Sequence, residues 1–248
     1  MPSALVTGVS RRAGIGWAIA ERLNADGWSV SATGWPPHDD AQPWGGEDVV
    51  PISSSFTWEP ADLASPEVPA QLVQGHKAAF GSLEALVAVH ARSSLQDLNT
   101  LTADELDTSF AVNTRATLLL VQAAAKAGVR RIVLFTTGVH LGPMPEEIPY
   151  AVSKAALQGM TVSLAAAMAP LGATVNCINP GPNDTGYADD EVRSFVRSQM
   201  PLAPRWGQPS DVAELVAWLV SDAAGWVTGQ TIDSDGGWGI RGAVAPRW

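Results

Sequence analysis

The sequence predicts a single α/β domain over residues 1–248, in which a doubly wound parallel sheet of about seven strands lies between two layers of helices. Short apolar runs alternate with longer amphipathic segments, which is the pattern of parallel strands joined by crossover helices. A chain of 248 residues suffices for one large domain and is short for two. With 46% hydrophobic and 16% charged residues, it also predicts a large buried core.

The apolar runs predict strands at residues 4–7, 28–33, 55–59, 84–89, 131–136, 173–178 and 230–233. The amphipathic segments predict helices at 15–26, 64–79, 103–127, 149–169, 188–199 and 210–221. Pro170 ends the helix that starts at 149, and Thr102 with Glu105 resembles a capping box before the helix at 103. Pro36–Pro51 contains four prolines and is predicted to be a loop.

Composition excludes several classes of function. The net charge of −10 argues against a nucleic-acid-binding surface. No apolar stretch approaches the roughly twenty residues that span a bilayer, and the N-terminus lacks the basic region of a secretory signal. The single cysteine, Cys177, lies in an apolar run and is expected to be an inert core thiol. We therefore expect a cytoplasmic protein with no nucleic-acid or membrane partner and no metal site.

The segment Thr7–Gly16 joins the first predicted strand to the first predicted helix and contains three glycines. A glycine-rich turn at this junction lets the backbone approach a pyrophosphate, and the helix N-terminus supplies free N–H groups and partial positive charge. The turn therefore predicts a dinucleotide cofactor, whose phosphates are contacted by residues of this segment. We assign Gly8, Ser10, Gly14, Ile15 and Gly16 to this role.

Two arginines in the same turn predict which dinucleotide binds. NAD-specific sheets usually place an acid at the end of the second strand to bind the ribose 2′-OH. Here that strand ends in Ala32–Trp35 without a carboxylate, whereas Arg11 and Arg12 can bind a 2′-phosphate. NADPH is therefore favoured over NADH, with Arg12 preferred to Arg11 as the phosphate ligand. Trp35 either covers the adenine or packs on the surface.

Tyr150 and Lys154 are four residues apart on a predicted helix, so their side chains share one face. A phenol has a pKa of about 10, and a neighbouring ammonium is expected to lower it into a range useful for proton transfer. Thr137 ends the preceding strand, where its hydroxyl can bind a substrate carbonyl. Asn113 lies in another helix, and a rigid turn, Asn179–Gly186, follows the sixth strand.

The ordered set of these motifs resembles the short-chain dehydrogenase/reductase family over essentially the whole chain, and it is most similar to the branch of the 3-oxoacyl-acyl-carrier-protein reductases. The segments that carry the resemblance are Thr7–Gly16, Asp62-Leu63, Asn113, Tyr150–Lys154, Asn179–Gly186, Gly229–Asp233 and Gly236-Gly237. The resemblance implies a seven-stranded Rossmann-like sheet, a nicotinamide cofactor and a homotetramer or homodimer.

The resemblance also implies individual roles. Tyr150 would be the general acid, Lys154 would lower its pKa and bind the nicotinamide ribose, Asn113 would hold a water in a proton relay, and Thr137 would orient the carbonyl. The cofactor would further be contacted by residues at both of its ends: Asp62, Leu63, His90, Pro180, Gly181 and Thr185.

Three departures from the family pattern stand out. The glycine turn is two residues longer than usual, and Thr137 replaces a serine. The family's Asn-Asn-Ala-Gly after the fourth strand is Ala88–Ala91 here, which puts His90 near the cofactor. We favour a packing or hydrogen-bonding role for His90 over a catalytic one.

The predicted function is NADPH-dependent reduction of a ketone, either a free ketone or a ketoacyl thioester. Residues 187–206 are predicted to form a lid over the substrate, and an acyl carrier protein is a doubtful partner because of the negative net charge. The predicted substrate contacts are His140, Met144, Tyr187, Met200 and Trp206.

Three other functions fit the sequence less well. Enoyl reductases of the family use a wider Tyr–Lys spacing, and residue 147, seven before Lys154, is glutamate. Halohydrin dehalogenases have arginine at the lysine position. A non-catalytic NADP-binding sensor or scaffold on the same fold is the rival from a different class.

Overall fold

The computed structural model describes residues 1–47, 49 and 53–242, and within them the chain forms one sheet of seven parallel strands. The strands are β1 (Ser3–Thr7), β2 (Ser29–Gly34), β3 (Phe56–Pro60), β4 (Ala85–Ala88), β5 (Arg131–Phe135), β6 (Thr174–Asn179) and β7 (Thr231–Asp233). Their order is β3-β2-β1-β4-β5-β6-β7. The order reverses between β1 and β4, and in such sheets the carboxyl ends of the strands open a ligand crevice at this point.

Helices cover both faces of the sheet. They are α1 (Ile15–Ala25), α2 (Pro36–Asp40), α3 (Val68–Phe80), α4 (Ala103–Ser109), α5 (Ala116–Ala127), α6 (Ile148–Met168), α7 (Asp190–Gln199) and α8 (Pro209–Val220). Helices α1 and α8 pack on one face, and α3, α5 and α6 pack on the other. The predicted three-layer, doubly wound fold is therefore confirmed. In the described part of the chain, no helix has both the length and the hydrophobicity needed to cross a membrane.

Each face of the sheet has its own apolar core, because neighbouring residues of a strand point to opposite sides. Val6 joins Ile19 and Val216 in the core beneath α1 and α8. Leu5, one residue earlier, joins the core beneath α3, α5 and α6. Cys177 is buried in that second core, and burial raises the pKa of its thiol to about 11.

The structure corrects the prediction of a loop at Pro36–Pro51, since its start is the short helix α2. Pro36 and Pro37 occupy the first turn of α2, where a proline costs little because that turn's N–H groups have no partner within the helix. Pro51 lies outside the described residues.

Two helix predictions are corrected as well. The predicted helix 103–127 is interrupted by a π-helical turn at Phe110–Arg115, which contains Asn113. Helix α3 starts at Val68 and not at 64, because Asp62 first closes a turn by accepting hydrogen bonds from the main-chain N–H groups of Ala64 and Ser65.

Candidate active site

The carboxyl ends of β1, β2, β4, β5 and β6 open into a cleft of about 950 Å³. The size suits a dinucleotide with a small substrate, since ligand pockets commonly measure roughly 300–1,000 Å³. All the residues predicted above to bind cofactor or substrate or to act in catalysis line this cleft, with four exceptions: Arg12, Asn113, His140 and Met200.

The glycine turn after β1 is held against two neighbouring strand ends. The main-chain N–H of Val9 donates to Thr33 O at 2.8 Å, and the Trp58 indole N–H donates to Val9 O at 2.6 Å. Gly8 has a φ of +77°, and a Cβ there would lie 2.6 Å from the main-chain nitrogen of His90. Only glycine fits this position, so the backbone itself forms the cleft wall, as close approach to a pyrophosphate requires.

The same end of the cleft carries groups that fit the phosphates and ribose of a nicotinamide dinucleotide. Helix α1 begins after Gly14 without a side-chain cap and without an acid in its first turn, which leaves its N-terminal N–H groups for a ligand. Within the described residues, the buried Arg11 Nε and Thr33 Oγ1 have no hydrogen-bond partner. Buried polar atoms without partners are rare and call for an explanation, and a bound polar ligand supplies one.

The two arginines of the turn point in different directions. Arg12 is exposed, with its guanidinium carbon 5.3 Å from the Trp17 ring centroid, and it does not line the cleft. Arg11 does line it, 5.7 Å from the Trp44 ring centroid. The preference for Arg12 as the 2′-phosphate ligand therefore does not fit the geometry, and Arg11 is the better placed of the two.

Helix α2 brings an acid to the same end of the cleft. Asp39 is buried, and its Oδ1 accepts a hydrogen bond from the Trp44 indole at 2.9 Å. No local signal indicated this placement, because the segment was predicted to be a loop and not a helix. Trp35 is 40% exposed and lines the cleft beside α2.

Tyr150 lies on the first turn of α6 with its phenol in the cleft. Burial, together with the charges of Glu147 and Tyr187, raises the pKa of Tyr150 to about 12, and the nearby Thr137 hydroxyl acts in the opposite direction. The expected lowering of this pKa by Lys154 is thus absent. The phenol is fully protonated at neutral pH, which suits a proton donor.

Lys154 is only 2% exposed, one turn after Tyr150. Its ammonium donates to the main-chain carbonyl of His90, with 3.2 Å between Nζ and O, and burial lowers its pKa to about 8. The main-chain carbonyl of Lys154 in turn accepts a hydrogen bond of 3.0 Å from Thr136 Oγ1. Thr136 therefore fastens α6 to the end of β5, while the next residue, Thr137, faces the cleft.

The imidazole of His90 is enclosed by protein groups. Its Nδ1 lies 2.6 Å from Thr7 Oγ1, and its Nε2 lies 3.0 Å from Val112 O and 3.2 Å from Thr117 Oγ1. Since a carbonyl only accepts, Nε2 carries the proton and Nδ1 accepts from Thr7. Burial, with a contribution from the Lys154 charge, lowers the pKa of His90 to about 3. The ring is therefore neutral and ties β1 to the π-helical turn, so its side chain has a structural role and is not free for the cofactor.

Asn113 is fully buried behind the cleft wall. Its Nδ2 donates to Ser153 Oγ at 2.9 Å and to Arg92 O at 3.1 Å, and its Oδ1 accepts from the Arg92 main chain at 2.6 Å. The amide thus joins the segment after β4 to α6. The side chain is not positioned to hold a relay water in the cleft, and any catalytic role of Asn113 stays a prediction.

The predicted substrate contacts divide into two groups. Thr137 Oγ1 donates to Met144 Sδ at 3.7 Å, and both side chains face the cleft. His140 points away and pairs with Asp233 at 3.2 Å, because the loop turns back after Gly138. Met200, also predicted to contact the substrate, does not line the cleft and packs against the small core around Trp206.

The segment 187–206 forms one wall of the cleft. Helix α7 is capped by Asp189, which accepts from Val192 N at 2.8 Å, and Trp206 is buried with its indole donating to Arg193 O at 3.0 Å. Tyr187 lies between two tryptophans, with ring centroids 5.9 Å from Trp206 and 6.5 Å from Trp44. This edge-to-face row connects the wall to the segment after α2.

Two further residues of the cleft carry no sequence motif. Glu147 is half-buried beside Tyr150, and its own pKa is raised by burial and by the charge of Glu146. Arg241, near the C-terminal end of the described chain, also lines the cleft. No motif marks either residue, because only the folding of the loop after β5 and of the segment after β7 brings them to the site.

Comparison with known proteins is consistent with this geometry. A family model described as "Enoyl-(Acyl carrier protein) reductase" matches residues 8–239. The chain is 34% identical to the "Uncharacterized oxidoreductase YjdA" of Bacillus subtilis (strain 168), over 96% of this chain and 97% of that one. It is 33% identical to the 3-oxoacyl-(acyl-carrier-protein) reductase FabG of Staphylococcus aureus (strain Mu50 / ATCC 700699), over 95% and 97%.

A solved short-chain dehydrogenase/reductase from Serratia marcescens has a similar structure, with a TM-score of 0.77, 29% sequence identity and coverage of 96% of this chain and 97% of that one. The chain therefore belongs to the short-chain dehydrogenase/reductase family, whose members are NAD(P)-dependent oxidoreductases and are commonly oligomeric. The predictions of family, fold and enzyme class are confirmed.

Proposed function

We propose that this enzyme reduces a ketone to a secondary alcohol with NADPH, and that Tyr150 donates the proton to the carbonyl oxygen. One observation carries the proposal: the protonated phenol of Tyr150 and the hydroxyl of Thr137 face the same cleft as the glycine turn and the buried Lys154. A general acid, an orienting hydroxyl and a dinucleotide cradle are the parts that carbonyl reduction requires.

The protein's own groups have distinct tasks in this reaction. A bound nicotinamide dinucleotide supplies the hydride that reaches the carbonyl carbon. The Thr137 hydroxyl and the Tyr150 phenol hold the carbonyl oxygen, and the phenol proton moves to that oxygen as negative charge develops. Lys154, held by His90 O, presents its ammonium to the ribose and to the Tyr150 oxygen after the proton has left.

Arg11 supports NADPH over NADH as the cofactor. Its buried Nε lacks a partner in the described part of the chain, and its guanidinium lines the cleft between Trp44 and Gly186. Asp39 also lines the cleft, and its Oδ1 accepts a hydrogen bond from the Trp44 indole. Guanidinium binds phosphate through two charge-assisted hydrogen bonds, whereas a 2′-OH offers only one neutral acceptor, so Arg11 favours a 2′-phosphate.

The remaining parts of the proposal concern specificity and assembly. Residues 187–206 act as a lid over a small carbonyl substrate, with Tyr187 and Trp206 on its inner side. We infer a homotetramer or homodimer from the family. The spacing of Tyr150 and Lys154, and Glu147 seven residues before the lysine, favour ketone over enoyl reduction although the family model carries an enoyl reductase description.

The test is NADPH oxidation, followed at 340 nm, with a panel of β-keto esters, diketones and quinones, repeated with NADH and with an enoyl thioester. We expect turnover of at least one ketone, faster with NADPH. Tight NADPH binding without turnover of any carbonyl would overturn the proposal in favour of a non-catalytic NADP-binding protein. Turnover of the enoyl thioester alone would overturn it in favour of an enoyl reductase.

A further inference from the structure

Arg241 places a fixed positive charge on the wall of the cleft. It follows a short 3₁₀ turn (Trp238–Ile240), and its guanidinium carbon lies 4.2 Å from the Trp238 ring centroid. Its Nη1 donates to Trp238 O at 2.8 Å. Stacking on an indole together with a hydrogen bond restricts the orientation of the guanidinium before any ligand arrives.

The charge of Arg241 is not neutralised by any of the described residues, since no carboxylate among them lies within 4 Å of its guanidinium. Arg92, another arginine of the cleft, differs because it binds Glu105 through two hydrogen bonds of 2.8 Å. With Nη1 used by Trp238, the remaining donors of Arg241 are left for a ligand.

Arg241 lies beside the loop that carries the residue predicted to orient the carbonyl. That loop starts at Thr137, and a Cβ on its Gly142 would lie 3.3 Å from Arg241 Nη2. The same loop packs against the turn before Arg241, since a Cβ on Gly239 would lie 2.9 Å from Leu141 Cδ2. Trp238 also packs against the core around Trp206. The guanidinium is therefore at the substrate end of the cleft, between the loop and the lid.

We propose that Arg241 binds a carboxylate on the substrate, so that the preferred substrate is an oxo acid and not a neutral ketone. This inference rests on the proposed ketone reduction. The planar guanidinium matches a carboxylate through two hydrogen bonds, and such bonds are stronger away from bulk water. The carboxylate of Glu147, beside Tyr150, repels the carboxylate of the substrate. The substrate therefore binds with its carboxylate at Arg241 and its carbonyl at Tyr150.

The experiment compares 2-, 3- and 4-oxo acids with their methyl esters as substrates of the full-length enzyme. We expect a higher kcat/KM for at least one acid than for its ester. Arg241→Gln is expected to raise the KM for that acid roughly 10- to 100-fold, because a charge-assisted hydrogen bond is lost. The KM for the ester should change by less than about twofold. Arg241→Lys should restore part of the loss, and Arg130→Gln, at an exposed arginine directly before β5 and outside the cleft, should change neither KM.

A binding measurement separates failure of this inference from failure of the proposed function. Calorimetry of butanoate and methyl butanoate, in the presence of NADP⁺, should show butanoate binding that depends on Arg241. If acid and ester are reduced equally and Arg241→Gln changes neither, the inference is overturned while ketone reduction stands. If no ketone is reduced, calorimetry still tests whether Arg241 binds a carboxylate. Equal butanoate affinity of the wild type and Arg241→Gln would overturn that role.

Discussion

The ammonium of Lys154 donates its hydrogen bond to the main-chain carbonyl of His90, with 3.2 Å between the two atoms. The His90 ring is itself fixed by the Thr7 hydroxyl at 2.6 Å and by Val112 O at 3.0 Å. The position of the lysine therefore depends on a histidine that stands in a segment where the family has asparagines. The departure at Ala88–Ala91 is thus a different way of holding the site together, and it does not indicate a lost active site.

Replacing His90 with alanine should lower the free energy of unfolding by about 1–3 kcal/mol, because Thr7 and Val112 lose a buried hydrogen-bond partner. The loss should shrink as the pH falls from about 6.5 towards 3, since the pKa of His90 is lowered to about 3 in the folded state only. In that pH range His90 binds a proton in the unfolded chain but not in the folded protein, which lowers the free energy of unfolding of the wild type. The variant has no histidine at this position and lacks this effect.

Urea unfolding at pH 7 and pH 5 measures this difference. The matched control is His140→Ala, an exposed histidine whose removal should change stability by less than about 0.5 kcal/mol. A constant difference between wild type and His90→Ala at both pH values would contradict the neutral, buried ring.

The pH dependence of ketone reduction should follow Lys154 and not Tyr150. The pKa of Lys154 is lowered to about 8 by burial, whereas that of Tyr150 is raised to about 12. The positive charge of Lys154 is present below its pKa and is lost as the pH rises through it, so kcat/KM should fall above pH 8. Lys154→Arg should remove this alkaline limb, because arginine stays charged. A profile that is flat to pH 10 in the wild type would contradict this assignment.

Arg11→Ala should raise the KM for NADPH roughly 10- to 100-fold while leaving the KM for NADH nearly unchanged, since it removes a charge-assisted hydrogen bond to the 2′-phosphate. Arg12→Ala, in the same turn but outside the cleft, is the matched control and should have little effect on either KM. A large rise in the KM for NADPH in Arg12→Ala, with none in Arg11→Ala, would show that Arg12 and not Arg11 binds the 2′-phosphate.

Thr137→Val should lower kcat roughly 10²- to 10³-fold, as loss of one donor to a developing oxyanion does in other enzymes. Thr137→Ser keeps the hydroxyl and should retain most of the rate, with a broader substrate range because the methyl group is gone. Rates for both variants with one small and one bulky ketone check this. Equal rates for Thr137→Val and Thr137→Ser would rule out the hydroxyl as the group that orients the carbonyl.

Local sequence patterns predicted most of the fold and of the candidate site. Strand and helix periods gave the sheet and its layers, and the spacing of Tyr150 and Lys154 gave the helix face that lines the cleft. What the patterns could not predict depends on contacts between distant segments. The π-helical turn at Asn113, the burial that raises the Tyr150 pKa, and the positions of Arg241 and Asp39 all arise from tertiary packing, which leaves no local signal in the sequence.

The most direct test of the account is ketone reduction by Tyr150→Phe, measured together with NADPH binding. The variant removes the phenol oxygen and preserves the ring that lines the cleft. We predict a loss of at least about 100-fold in kcat, the typical contribution of a general acid, with the Kd for NADPH changed less than about threefold. Turnover at the wild-type rate by Tyr150→Phe would show that another group donates the proton and would contradict the central claim.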